Sequence, residues 1–338
     1  MTNDGKKRPW IDGVVPLMLA PMQGVTNRAV RHVFAQWVRP DVLFTEFMRV
    51  RHGAVGGPAR LSDGDLDDAK AEEHGIPLVV QLIGRDREPL VEAAAVAQDA
   101  GARHLNLNMG CPYGRMNVGC GGGMLERPET LPDILHALRE CIPGSFSVKV
   151  RAGYDDPEQI FSLLPLFEAA GVDFLVLHAR TVAQRYDGHA DHGITARVVK
   201  QTRLPVIANG DICTADDGAR VLRETGAAGL MLGRGAMRDP LLFDRLRGRA
   251  PASPSPGELL LAHQRYLRKL AERYGALFCG DAQVLAKLKS SMGVMGLPEE
   301  SRPYRTLRKA KTVEAFCEAV ELLTAHGAEQ AQPSPRAR

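Results

Sequence analysis

Eight short apolar runs alternate with longer amphipathic stretches between residues 15 and 235, and that alternation leaves few folds open. The runs are Leu17–Ala20, Val42–Phe44, Leu78–Leu82, His104–Asn108, Ser147–Val150, Phe174–His178, Val206–Ala208 and Gly229–Leu232. Each interval is long enough for a crossover helix, as at Pro89–Ala100 with its alanine-rich face and at Pro157–Ala170 before Gly171. Neighbouring strands are therefore expected to run parallel under a cover of helices. Eight such units in about 220 residues match an α/β protein of the (β/α)8 TIM-barrel class better than an open doubly wound sheet. No Gly-x-Gly-x-x-Gly opens the first unit, which argues against a dinucleotide-binding half of the Rossmann kind.

Pro251-Ala-Ser-Pro-Ser-Pro-Gly257 breaks the pattern, and after it Glu258–Tyr274, Asp281–Met295 and Thr312–His326 read as helices with no strand between them. The expected organisation is an N-terminal extension over 1–14, a barrel over 15–250, a small helical domain over 258–326 and a disordered tail over 327–338. A composition 44% hydrophobic and 25% charged is that of an ordinary globular chain. No run approaches the ~18 apolar residues of a membrane span, and the start lacks the apolar core of a secretory signal. Six cysteines, scattered at 111, 120, 141, 213, 279 and 317, are expected as reduced thiols in the cytoplasm. The net charge is only +3, but residues 251–338 hold 13 Lys and Arg against 9 Asp and Glu. Arg302, Arg305, Arg308, Lys309 and Lys311 fall in a stretch of ten residues without an acid, either as a solvated helix face or as a contact for nucleic acid.

Barrel enzymes place their chemistry at the C-terminal ends of the strands. Here those ends carry Gln81, Asn108 with Gly110-Cys111-Pro112, Lys149 and Arg151, His178-Ala-Arg180, Asn209-Gly210-Asp211 and Gly233-Arg234-Gly235. A packed barrel requires none of these polar groups. The two glycine turns follow strands 7 and 8, where backbone N–H groups commonly hold phosphate, so a phosphorylated cofactor is expected there, with Arg234 as a charged contact. Gly119-Cys-Gly-Gly-Gly123 lacks the Gly-Lys-Ser/Thr ending of a P-loop and reads as a flexible loop. Cys111 alone among the cysteines follows a strand end directly. Without a Cys-x-x-Cys, no metal is expected, and a thiol there can give up a proton or attack.

Ala20-Pro21-Met22-Gln23-Gly24-Val25-Thr26, Gln81-Leu82-Ile83-Gly84, Asn108-Met109-Gly110-Cys111-Pro112, Lys149-Val150-Arg151, His178-Ala179-Arg180-Thr181 and Asn209-Gly210-Asp211 resemble, in order and spacing, the motifs of the bacterial, flavin-dependent tRNA-dihydrouridine synthases. The resemblance covers residues 15–245, and more loosely the helical segment Lys287–Leu323 is similar to that family's RNA-binding domain. It implies an oxidoreductase that reduces uridine in tRNA to 5,6-dihydrouridine, with FMN bound and NADPH as a transient reductant.

By the resemblance, Pro21 and Met22 back the flavin ring, Gln81 and Lys149 bond its polar edge, and His178, Asn209, Gly210, Asp211, Gly233 and Arg234 surround the ribityl chain and phosphate. Cys111 is the proton donor at C5 after hydride reaches C6. Asn108, Arg151 and Arg180 lie by the substrate base, and Arg305 and Arg308 hold tRNA phosphates. The chain departs from the family's pattern with Asn106 and Asn27 in place of Asp, Arg115 in place of Lys and His192 in place of Trp. Two rivals remain: a flavin enzyme acting on a free pyrimidine, and a non-catalytic RNA-binding protein. No stable protein partner is implied, and a monomer is the default.

Overall fold

In the computed structural model, residues 8–50, 72–112, 119–297 and 301–330 are described, with 61, 64 and 69 besides. Every expected strand is present: β1 (Leu17–Leu19), β2 (Leu43–Phe44), β3 (Ile76–Ile83), β4 (His104–Met109), β5 (Ser145–Gly153), β6 (Phe174–Thr181), β7 (Val206–Asn209) and β8 (Gly229–Leu232). All pair in parallel, from β2 through β3, β4, β5, β6, β7 and β8 to β1. A bridge between Met18 and Val42 and a hydrogen bond from Leu19 N to Val42 O bring β1 back to β2. The fold is the (β/α)8 barrel. Two-residue strands at Met48–Arg49 and Glu72–Glu73 add to β3.

Helices α1 (Arg28–Trp37), α2 (Arg87–Asp99), α3 (Leu131–Cys141), α4 (Gln159–Ala169), α5 (His192–Gln201) and α6 (Ala215–Thr225) lie in six of the crossovers, and the segment between β2 and β3 falls largely outside the described residues. Strands so covered are apolar on both sides, which is why β6 is buried at all eight positions. Inside the barrel Met18, Ala20, Val42, Phe44, Val79, Phe174, Val176, Ile207 and Met231 form one cluster. Trp10 meets Phe174 edge-on at 4.8 Å, so part of the expected N-terminal extension packs on the barrel core.

By packing, the chain divides into two compact units, one of residues 1–26, 40–212 and 217–233, the other of 27–39, 213–216 and 234–338. The second holds α1 together with α7 (Arg234–Arg238), α8 (Leu242–Leu246), α9 (Pro256–Leu277), α10 (Asp281–Met292), α11 (Arg302–Lys309) and α12 (Val313–Gln330). Ser255 caps α9 in a reciprocal capping box with Glu258, and Pro256 opens the helix. Phe34 of α1 stacks edge-on with Tyr266 at 5.8 Å and Phe243 at 6.0 Å, and the Arg265 guanidinium lies 5.0 Å over the Trp37 ring. Helix α12 runs to Gln330; residues 331–338, the rest of the expected disordered tail, lie outside the described residues. Among those described, no helix is long and apolar enough to cross a membrane.

One local expectation is corrected. The glycine cluster is no loop: Gly121–Glu126 forms a 3-10 helix with Gly121 and Gly122 buried. A Cβ on Gly122 would stand 2.6 Å from Val182 and 2.9 Å from the Cys111 carbonyl oxygen, so close packing is what demands glycine there.

Candidate active site

Side chains alternate across a strand, so the columns that carry the interior cluster continue into whatever follows two residues on. From Val79 the next inward position is Gln81; from Phe174 and Val176 it is His178 and then Arg180; from Ile207 it is Asn209; from Met231 it is Gly233. Each column changes from apolar to polar toward the C-terminal end of its strand. Register aligns these ends, pairing Gln81 with Asn106, Asn108 with Lys149, Arg151 with His178, and His178 with Asn209.

The first group is a chain of amides. Asn108 Nδ2 donates to Gln81 Oε1 at 2.8 Å, Gln81 Nε2 donates to Asn106 Oδ1 at 2.8 Å, and Asn106 Nδ2 donates to Ser147 Oγ at 2.8 Å. Thr45 Oγ1 accepts from Gln81 N at 3.1 Å. Asn106 is 1% exposed. A neutral amide at that depth carries both ends of the chain without burying a charge, which is a physical reason for Asn106 where the resemblance has Asp.

Asn108 also fixes the cysteine. Its Oδ1 accepts from Gly110 N at 3.1 Å and Cys111 N at 3.0 Å, Cys111 O accepts from Gly122 N at 3.0 Å, and Arg151 Nε donates to Gly110 O at 2.8 Å. The backbone under the thiol is thus held from three directions. Burial pushes the Cys120 thiol up, so that residue offers little thiolate. Residues 113–118, including Arg115, lie outside the described residues.

Arg151 and Arg180 do not present free guanidiniums. Arg151 Nη1 donates to the carbonyls of Thr181 at 2.8 Å and Arg185 at 2.6 Å, and its guanidinium sits 5.4 Å from the Tyr186 ring centre. Arg180 is 2% exposed and directs all five N–H groups inward: to Asp187 O, Gly188 O, His178 Nε2 and both oxygens of Asp211, the last two at 3.1 and 2.7 Å. Since an arginine only donates, Nε2 of His178 accepts and its proton sits on Nδ1. Gly210 and Asp211 have φ of +116° and +50°, a left-handed pair that Asp211 helps hold by accepting from Ala190 N at 2.8 Å.

Lys149 is half-buried beside these groups. Its Nζ donates to Asn209 Oδ1 at 3.1 Å, while Asn209 Nδ2 donates to Met231 O at 2.8 Å. Burial, with Arg151 nearby, lowers the ammonium to about 8, and Cys111 pulls the other way. Among the described residues no carboxylate pairs with it. Pro21 and Met22 are half-buried in the turn after β1, where Met22 N donates to Thr26 Oγ1 at 2.7 Å, and the Met22 sulfur would lie 3.5 Å from a Cβ on Gly233.

Arg234, Arg305 and Arg308 belong to the second unit, and Arg305 and Arg308 are exposed on α11, which Ser301 caps. Three features escaped sequence reasoning: the 3-10 helix beneath Cys111, the saturation of Arg180, and a bond from His192 Nε2 to Gly210 O at 2.9 Å. The only signal in the chain for the last is that His192 stands where the resemblance has Trp.

The family model for dihydrouridine synthase (Dus) matches residues 18–322. The chain is 35% identical over 266 residues to a tRNA-dihydrouridine(16) synthase of Ralstonia nicotianae, covering 76% of this chain and 81% of that protein. It is 36% identical over 247 residues to a protein of that name from Haemophilus influenzae, covering 70% and 78%. With a third, from Shewanella oneidensis, it is 30% identical over 319 residues, which is 92% of this chain and 98% of that protein.

Proposed function

The chain belongs to the dihydrouridine synthase family of flavin-dependent enzymes, and from that premise we propose that it reduces uridine 16 of tRNA to 5,6-dihydrouridine, with FMN in the barrel mouth and NADPH as a transient reductant. The observation that carries the cofactor reading is Lys149, a half-buried ammonium with one hydrogen-bonded amide and no carboxylate partner among the described residues. A buried cation in that position is costly unless an electron-rich group completes it. The electron-rich polar edge of a flavin would do so. Gln81 has one N–H and one lone pair beyond its bonds to Asn106 and Asn108 for the same ring. Pro21 and Met22 would back it, while His178, Asn209, Gly210, Asp211 and Gly233 would hold the ribityl and phosphate end; Arg234, which the resemblance adds to that set, belongs to the second unit.

A reduced flavin held there would supply hydride to C6 of uracil, whose C5=C6 bond is conjugated to the C4 carbonyl. Cys111 holds the proton that C5 then takes, on a backbone that Asn108, Gly122 and Arg151 keep from shifting. Asn108 has a second amide N–H beyond its bond to Gln81, suited to the base. Arg180 and Arg151, assigned to the base by resemblance, are read instead as braces: the first has spent every donor on neighbouring groups, two of them on the Asp211 carboxylate, and the second ties Gly110 to the loop after β6.

A uridine must leave its stack to reach such a site, so the rest of the tRNA needs a hold. The helical segment 258–326 supplies it: Arg302, Arg305, Arg308, Lys309 and Lys311 are exposed with no ion pair among the described residues, suited to phosphate. The family model's match runs to residue 322 and so takes in most of this segment. A free-pyrimidine enzyme would leave the basic helix without a task, and a plain RNA binder would leave the fixed thiol without one. The enzyme is read as a cytoplasmic monomer.

The test is direct. Purified protein should be yellow with FMN absorbance, should ignore free uridine, and, once reduced by NADPH, should be reoxidised on mixing with tRNA. RNA from a strain lacking the gene should lose dihydrouridine at position 16; loss at another position alone would refute the site assignment, and intact dihydrouridine throughout would refute the activity.

A further inference from the structure

We propose that His192 is a positioning residue for the cofactor's phosphate, holding the Gly210 carbonyl so that the peptide linking Gly210 to Asp211 turns its N–H toward that anion. The inference deepens the reading above and rests on its placement of FMN.

His192 is the first residue of α5, whose N-cap Asp191 accepts from Gly193 N at 2.9 Å. Its Nε2 meets Gly210 O at 2.9 Å, and its Nδ1 lies 3.4 Å from Thr195 Oγ1. A carbonyl only accepts, so Nε2 carries the proton and Nδ1 takes the threonine hydroxyl. Both neighbours suit a neutral ring, and burial keeps the imidazole below its ordinary range.

What it grips is a turn that does not stand by itself. Gly210 at φ +116° and Asp211 at φ +50° follow each other in left-handed space, and a Cβ on Gly210 would come within 2.8 Å of both Ala190 and His178. Two clamps hold it. Arg180 takes the Asp211 carboxylate with two N–H groups, which also compensates a negative charge that would otherwise repel a phosphate. His192 takes the preceding carbonyl. In a planar trans peptide the C=O and N–H point in opposite directions. With the Gly210 oxygen drawn to α5, the Asp211 N–H is directed away from α5. Backbone N–H groups presented by a turn are a known means of holding an anion. The resemblance has Trp at 192, which also bears a ring N–H, so the donor survives the exchange of ring.

The experiment titrates flavin-free protein with FMN and with riboflavin, which lacks the phosphate, following quenching of flavin fluorescence. Wild type should bind FMN more tightly. His192→Phe and His192→Ala delete the donor, one keeping bulk and one losing it, and should weaken FMN about 3- to 10-fold while leaving riboflavin within twofold. His192→Gln and His192→Trp, which keep an N–H, should restore the wild-type ratio of the two affinities. If either donorless variant keeps that ratio, or loses both flavins equally, His192 does not position the phosphate. If wild type holds the two flavins equally, the phosphate placement itself falls, and this proposal with it.

Discussion

Replacing Lys149 by methionine should move stability and cofactor affinity in opposite directions. The free enzyme's ammonium sits at about 8 against an ordinary 10.5, chiefly through burial. For a base whose folded value is lowered, the fold carries a penalty wherever the unfolded chain is protonated. That penalty is fully present below pH 8 and is relieved as pH rises from about 8 to 10.5. At 1.36 kcal/mol per decade the penalty is roughly 3 kcal/mol, and water reaching a half-buried Nζ trims this, so about 1–3 kcal/mol of stabilisation is expected for Lys149→Met at pH 7. By pH 10.5 the gain should be gone. Urea unfolding of flavin-free protein at both pH values measures it, with Trp10, packed on Phe174, reporting the barrel. Cofactor affinity should fall in the same variant. In wild type it should weaken with pH as well, because the free protein is about 90% protonated at Lys149 at pH 7 and about 10% at pH 9, so binding must draw in a proton. A variant that is less stable at pH 7, or that binds FMN with wild-type strength, would show that Lys149 is satisfied by the protein alone.

Cys111→Ala should retain FMN and tRNA binding and lose about 10²–10⁴-fold in single-turnover oxidation of pre-reduced enzyme by tRNA, with Cys120→Ala losing far less. A Cys111→Ala rate within a few-fold of wild type would remove the proton-donor role. Arg305→Ala with Arg308→Ala should weaken tRNA binding and reduce the slope of log K against log salt by about 2, leaving flavin content unchanged. An unchanged slope would return α11 to a solvated face. Arg180→Ala should cost about 3–5 kcal/mol in a denaturation curve, because it removes a buried guanidinium together with both of its bonds to the Asp211 carboxylate. A stable variant with only a raised KM would restore Arg180 to the substrate.

Strand positions are legible in the amino-acid sequence because hydrophobic periodicity is a local property. Val79 and Gln81 belong to one inward column whatever their neighbours do, and the change from apolar to polar along each column marks the mouth of the barrel. Cys111 is legible for the same reason: no other cysteine follows a strand end. Helix starts such as Ser255 with Glu258 and Ser301 with Pro303 are written within four residues.

Hydrogen-bond partners are a different matter, since strand register decides them across long separations. Arg180 reads as a free cation at a strand end until the fold sets Asp211, 31 residues on, against its guanidinium. Arg151 reaches Gly110, 41 residues back, and so braces the thiol instead of facing solvent. Asn27 Nδ2 donates to the Tyr274 hydroxyl across 247 residues, placing α1 with the late helices though it lies early in the chain. The bond from His192 to Gly210 spans 18 residues and two elements. Composition and spacing could say which groups gather at the mouth of the barrel. Which of them remain free to act depends on how many donors and acceptors the folded neighbours have already satisfied, and only tertiary structure counts those.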